Sequence, residues 1–113
     1  MQETEDNVEE IKEKLRRYKR QDLIFNEPHF SYRLILREGS KEEVIKNLLK
    51  PDNLVYSYKQ KGSLGDIIHC LHFKISNKRT MRLPVIFKKK TLYILTYIMR
   101  YRPWQSMIKR RRR

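Results

Sequence analysis

The period of the apolar residues changes once along this chain, at Pro51, and that change limits what it can build. Before it, apolar residues recur every three or four positions: Val8, Ile11, Leu15 and Tyr18, then Phe30, Leu34 and Ile35, then Val44, Ile45, Leu48 and Leu49. This is the stripe of an amphipathic helix. After it, residues 53–60, 67–75, 80–87 and 91–99 alternate or run apolar, separated by short polar turns, which is the pattern of strands. Three helices followed by four strands on short loops predict an α+β domain, its N-terminal helices packed on a four-stranded antiparallel sheet.

The boundaries have chemical reasons. A first helix over residues 5–21 has acids in its first turns and Lys19 and Arg20 in its last, which suits the helix dipole. Gly39 is placed to end the second helix, Ser40 to cap the third with Glu43 three residues on, and Pro51 to stop it. Residues 23–28 read as a connector. Pro84 inside the third strand marks a bulge or an edge. The run Thr91–Met99 is rich in β-branched and aromatic residues and reads as a buried strand, its even-numbered residues on one face and Tyr93 and Tyr97 on the other. The expected division is a helical extension over 1–22, a domain over 23–104 and a basic tail over 105–113.

Charge is distributed unevenly. Residues 1–66 carry thirteen acids and thirteen bases, and the whole formal charge of +14 falls after Asp66, where fourteen Lys or Arg stand without a carboxylate. Such a field draws in polyanions, with nucleic acid the first partner to consider, an acidic protein the second and an anionic membrane surface the third. The single Cys70 excludes an internal disulfide. The polar, acidic N-terminus is not a signal peptide, and no apolar run approaches a bilayer span, so the expected location is cytoplasmic, away from membranes.

His29, Arg33 and Arg37 stand at i, i+4 and i+8 on one helical face, either a phosphate-binding and proton-handling stripe or a solvated one. His69, Cys70 and His72 alternate across a strand, so they do not share a metal site; His69 reads as core-facing or at an edge and His72 as solvent-accessible. Lys74, Lys78, Arg79, Lys88, Lys89 and Lys90 sit on strands and turns, where they either protect edges or contact RNA backbone. Arg82 alternates with Met81 and Leu83 and should stand on the sheet's second face beside Tyr93 and Tyr97, a face suited to stacking and holding RNA unless the tyrosines are simply core with a wet tip. Arg100, Arg102 and Trp104 mix guanidinium and aromatic groups just beyond, and Lys109, Arg110, Arg111, Arg112 and Arg113 add affinity for phosphates without sequence preference. The chain has no glycine-rich phosphate loop, no nucleophile elbow and no close carboxylate pair after Asp66, which disfavours kinase, nucleotide-hydrolase, glycosidase and two-metal nuclease chemistry. RNA cleavage here would be metal-free and without a cofactor, relying on the RNA 2′-hydroxyl and on His, Tyr, Lys and Arg.

The run His29-x-x-x-Arg33-x-x-x-Arg37-x-x-Ser40-x-Glu42-Glu43-Val44, followed by Pro51, resembles the small bacterial and archaeal family labelled domain of unknown function 4258. The later Ile94-Leu-Thr-Tyr97 also fits, and the resemblance covers residues 27–102. This chain departs from the pattern in having Glu38 at the usual glycine position and Gly39 where the family has isoleucine. That family looks like a branch of the RelE/ParE-like toxin superfamily, near the BrnT toxins. The resemblance implies two helices before a four-stranded antiparallel sheet, and a metal-independent RNA-cleaving toxin neutralised by an antitoxin protein. On that reading His29 or Tyr97 supplies acid–base function, Arg33, Arg82 and Arg100 hold the phosphate, and the substrate is RNA, including mRNA on the ribosome. Two alternatives stand beside it: a non-catalytic RNA-binding protein of the same fold, and a toxin-fold protein whose basic face binds an acidic partner.

Overall fold

The computed structural model describes residues 4–106. Its first helix, α1 (Val8–Leu15), opens where the Asn7 side chain accepts the Glu10 backbone N–H at 3.1 Å. It is shorter than the predicted 5–21, because the chain turns at Arg16 and passes through a 3-10 turn at Arg20–Asp22. Helices α2 (His29–Leu36) and α3 (Lys41–Leu49) form the expected hairpin, and the Ser40 hydroxyl accepts the Glu43 N–H at 3.2 Å.

The end of α2 corrects the expected role of Gly39. The Gly39 N–H donates to Leu34 O at 2.8 Å and the Glu38 N–H to Ile35 O at 3.1 Å, a Schellman arrangement. The residue in the left-handed region is Glu38, with φ of 52°. Gly39 is needed for space instead: a Cβ there would lie 2.7 Å from Cζ and from the hydroxyl of Tyr97. A side chain in left-handed backbone costs about 1–2 kcal/mol. Glu38→Gly is therefore expected to raise the unfolding midpoint in urea by an amount worth about 1 kcal/mol, and a lowered midpoint would contradict it.

Among the described residues seven strands make one sheet: β1 (Thr4–Glu5), β2 (Leu23–Phe25), β3 (Leu54–Lys61), β4 (Ile67–Ser76), β5 (Arg79–Phe87), β6 (Leu92–Ile94) and β7 (Ile98–Arg100). Their order is β1-β3-β4-β5-β6-β2, with β7 also paired to β5. The expected four-stranded sheet is thus extended. At one edge β1 adds two residues. At the other, the expected connector 23–28 supplies β2, which runs parallel to β6 with Leu23 opposite Leu92 and Phe25 opposite Ile94. The first, second and third predicted strands correspond to β3, β4 and β5 and pair antiparallel.

The predicted fourth strand is broken. Residues 92–94 pair with 85–87, residues 98–100 pair with 80–82, and the chain between them leaves the ladder. Pro84 lies opposite this gap: it accepts the Leu95 N–H at 2.9 Å but has no N–H to return. The side-chain parity slips by one residue there. Leu92 and Ile94 face the core in β6, whereas Tyr97 and Met99 face it beyond the break.

All three helices lie on one face of the sheet. Ile11, Leu15, Phe30, Leu34, Val44 and Leu48 pack into a single core with Leu71, Phe73, Met81, Leu83, Leu92 and Ile94. The N-terminal segment set apart as an extension is part of this core, since Leu15 is fully buried. A smaller cluster of Tyr56, Tyr58 and Cys70 occupies the sheet's second face, with Val55, Ile68 and Trp104 packed on it.

Candidate nucleic-acid interface

On β4 and β5 the core-facing pairs Leu71–Leu83 and Phe73–Met81 force the alternate residues outward to the second face, where Cys70 stands opposite Pro84 and His72 opposite Arg82. Arg82 lies there, as expected. Its Nη2 donates to the Tyr58 hydroxyl at 2.6 Å and approaches Cys70 Sγ at 3.8 Å, while its guanidinium carbon sits 5.7 Å from the centre of the Tyr58 ring. The Arg82 Nε is fully buried and has no hydrogen-bond partner among the described residues. Leaving such a donor unsatisfied costs about 1–3 kcal/mol.

Arg100 ends β7 opposite Thr80, and so shares the second face with Arg82. The next cation is fixed by the backbone: the Thr80 hydroxyl donates to Arg102 O at 3.1 Å. Burial holds the Arg100 guanidinium below its usual range, and the positive charges of Arg82, Arg102 and Arg37 push in the same direction. Arg37 caps the C-terminus of α2 at one end of its basic stripe, and its charge acts on Arg100 together with those of the sheet arginines. His29 marks the other end of the stripe, its Nε2 lying 2.9 Å from the Thr96 hydroxyl in the break between β6 and β7. His29, Arg33 and Arg37 are all exposed. Among the described residues none of Arg33, Arg37, Arg82, Arg100 and Arg102 forms an ion pair.

Of the two tyrosines expected on this face, Tyr93 alternates onto it between the core residues Leu92 and Ile94, and Tyr97 does not stand there. Tyr97 is 1% exposed and lies under the helices, its ring edge-on to Phe30 at 6.3 Å between centroids. The one-residue slip at the break put it there. Burial and then the charge of Glu43 raise its phenol above the usual tyrosine value, and its hydroxyl is buried without a partner among the described residues. It cannot meet RNA from that position. Tyr93 is half-buried and donates to the Asn26 side-chain oxygen at 3.0 Å. The second-face aromatics are Tyr56, Tyr58 and His72, the last with ring centroids 5.2 Å and 5.8 Å from the two tyrosines. The alternation of Tyr56 and Tyr58 was the signal available for them. His72 is 2% exposed, against the expectation of an accessible residue, because this aromatic cluster covers it.

A catalytic Tyr97 has a simple test. Tyr97→Phe deletes an unpartnered buried hydroxyl, so stability should stay level or rise by about 1 kcal/mol, with RNA binding unchanged. Loss of an RNA-directed activity on this substitution would restore Tyr97 to the site.

The other basic residues fall into two further groups. Lys74, Lys78 and Arg79 flank the turn between β4 and β5. Lys88, Lys89 and Lys90 turn between β5 and β6 and face α1 across a cleft, apart from the arginines. Trp104 is half-buried against the second-face cluster. Residues Lys109 and Arg110 to Arg113 lie outside the described residues. Among the described residues no group of His, Cys, Asp and Glu is placed to hold a metal ion, and no helix is long and apolar enough to cross a membrane.

The fold and the face define a class, an α+β domain presenting a belt of arginines around one edge of its sheet. No family model, curated protein or solved structure matches the chain.

Proposed function

We propose that this chain is an RNA-binding protein of RelE/ParE-like fold, which holds backbone phosphates on Arg37, Arg82, Arg100 and Arg102. The observation that carries the reading is that Arg82 and Arg100 stand on one face of the sheet, with Arg102 tied to it through Thr80, and that none of these or Arg37 forms an ion pair among the described residues. Like charges brought together and partly desolvated oppose folding, and a bound phosphate reverses the sign of that cost while matching the donor fork of arginine. The helical hairpin between a short edge strand and an antiparallel meander also supports the likeness to the toxin superfamily.

Cleavage is the second reading, and one constellation favours it. The Tyr58 hydroxyl is bonded to Arg82, and the His72 ring lies 5.8 Å from the Tyr58 ring. Phenol, imidazole and guanidinium together are the groups a metal-free attack by the 2′-hydroxyl requires, and since Tyr58 and His72 are 1% and 2% exposed, this reading requires the bound RNA to uncover them. In that reading the protein is a toxin, and its natural partner is an antitoxin whose acidic segments cover the belt.

Incubating the protein with single-stranded RNA in a chelator separates the two. The expected result is saturable binding that falls steeply with salt, with the RNA intact. New 2′,3′-cyclic phosphate ends, retained in Tyr97→Phe and lost in Tyr58→Phe, would establish cleavage. Absence of binding at low salt would refute both readings.

A further inference from the structure

A second constellation lies on the helix side of the sheet, at the opposite end of β5 from Arg82. The Asp6 carboxylate is nearly buried, 6% exposed as a side chain, and its Oδ2 takes two contacts: the Ser57 hydroxyl donates at 2.7 Å and His69 Nδ1 lies at 3.0 Å. Burial raises the Asp6 carboxyl, but the hydrogen bonds from His69 and Ser57 outweigh it, and the net position is below the usual carboxylate value. An ionised Asp6 only accepts, so the His69 Nδ1 carries the proton and the ring orientation is fixed. The ring is held further edge-on to Phe87, 5.0 Å between centroids.

The imidazole lines a cleft of about 400 Å³ whose walls include Lys14, Lys59, Asp66 and Phe87. Lys14 and Phe87 also line a neighbouring cleft of about 570 Å³ with Arg17, Asp22 and Lys88, Lys89 and Lys90. The acid group lining it, Asp22, is already engaged, accepting the Lys19 N–H at 2.8 Å. Its floor is fixed by the Tyr18 hydroxyl, which donates to Lys88 O at 2.6 Å. The two clefts thus adjoin at Lys14 and Phe87 as the two ends of a groove, with an oriented imidazole in one and a run of three lysines in the other. Volumes of this order hold a nucleotide-sized ligand. Its cations exceed its carboxylates, and the aromatic face of Phe87 is already covered by Lys14, 5.3 Å from the ring centre, so the recognition is of charge and not of a stacked base.

We propose that this groove binds an oligophosphate group, with one phosphoryl held by Lys14 and Lys59 beside the His69 ring and the others extending toward Lys88–Lys90. A free nucleoside triphosphate and the 5′-triphosphate end of an RNA present the same chemistry. The residues are distinct from the arginine belt, so this proposal and the RNA-binding reading fail separately.

The test is calorimetric titration of the full chain with sodium triphosphate at physiological salt. Saturable binding is expected, weakened about tenfold by Lys14→Ala and by Lys59→Ala. Both lysines are exposed, so these variants should fold, and Lys46→Ala on the outside of α3 serves as the control for net charge. In ¹⁵N imidazole spectra, the His69 signal should move on addition of triphosphate while those of His29 and His72 stay. Equal affinity for ATP and triphosphate would identify the free nucleotide as a sufficient ligand; tighter binding of a 5′-triphosphate oligoribonucleotide than of its 5′-hydroxyl form would identify the RNA end. No saturable heat, an equal loss in Lys46→Ala, or an unmoved His69 signal would overturn the proposal.

Discussion

Replacing Arg82 and Arg100 together by alanine is expected to weaken binding of a single-stranded oligoribonucleotide by on the order of a hundredfold, since a hydrogen bond to a charged group contributes about 1.5–3 kcal/mol. Each lost phosphate contact should also flatten the dependence of log affinity on log salt by about 0.7. The loss should be the same for every RNA sequence tried, because phosphate contacts carry no sequence information. The two positions differ in what else they do. Arg82 bonds Tyr58 and so helps to hold the second-face cluster, whereas Arg100 ends its strand and is pressed upon by three like charges. Arg100→Ala alone should therefore keep or raise the melting temperature while costing about tenfold in affinity. Polarisation titrations at two or more salt concentrations, with thermal melts of each variant, decide the matter. An unchanged salt slope in the double variant would place the RNA elsewhere.

The second large effect concerns the fold. Gly39→Ala is expected to destabilise by about 1–3 kcal/mol, as overpacking of a filled core does. The added methyl would meet the Tyr97 ring at 2.7–2.8 Å, and Phe30 stands edge-on to the same ring within the core. The effect should be coupled to Tyr97: combining Gly39→Ala with Tyr97→Leu should cost less than the two single changes added together. Additive losses in urea unfolding would show that the methyl is accommodated without touching that ring.

The hairpin and the three long strands were legible because their periods are long enough to read and their ends carry caps and turn residues. Ser40 and Pro51 did what their chemistry required. The short edge strands were not legible. Leu23–Phe25 has three residues, too few to show a period, and it becomes a strand only because β6 offers it an edge. The break in Thr91–Met99 was written in another strand, at Pro84, whose missing N–H acts on residues more than ten positions away. Once the parity slipped there, Tyr97 moved from the second face into the core and Arg100, expected only at the rim beyond the strand, came onto the second face, while Arg82 kept the face assigned to it. The same distance in sequence hid the Asp6–His69 pair, since nothing local links a carboxylate ahead of the first helix to an imidazole on the fourth strand.

Among the candidate site residues, Arg33, Arg37 and His29 were placed on one helical face by spacing alone, and that face is exposed. What spacing could not give was its neighbour. That the charge of Arg37 acts on Arg100, far away in sequence, is a property of the tertiary fold.

The arginine belt is tested most directly by following the arginine side-chain N–H signals of the ¹⁵N-labelled protein as a short single-stranded RNA is added. The expected result is that Arg37, Arg82, Arg100 and Arg102 shift together and saturate at one RNA concentration. Unmoved belt signals during a titration in which RNA binds would contradict it.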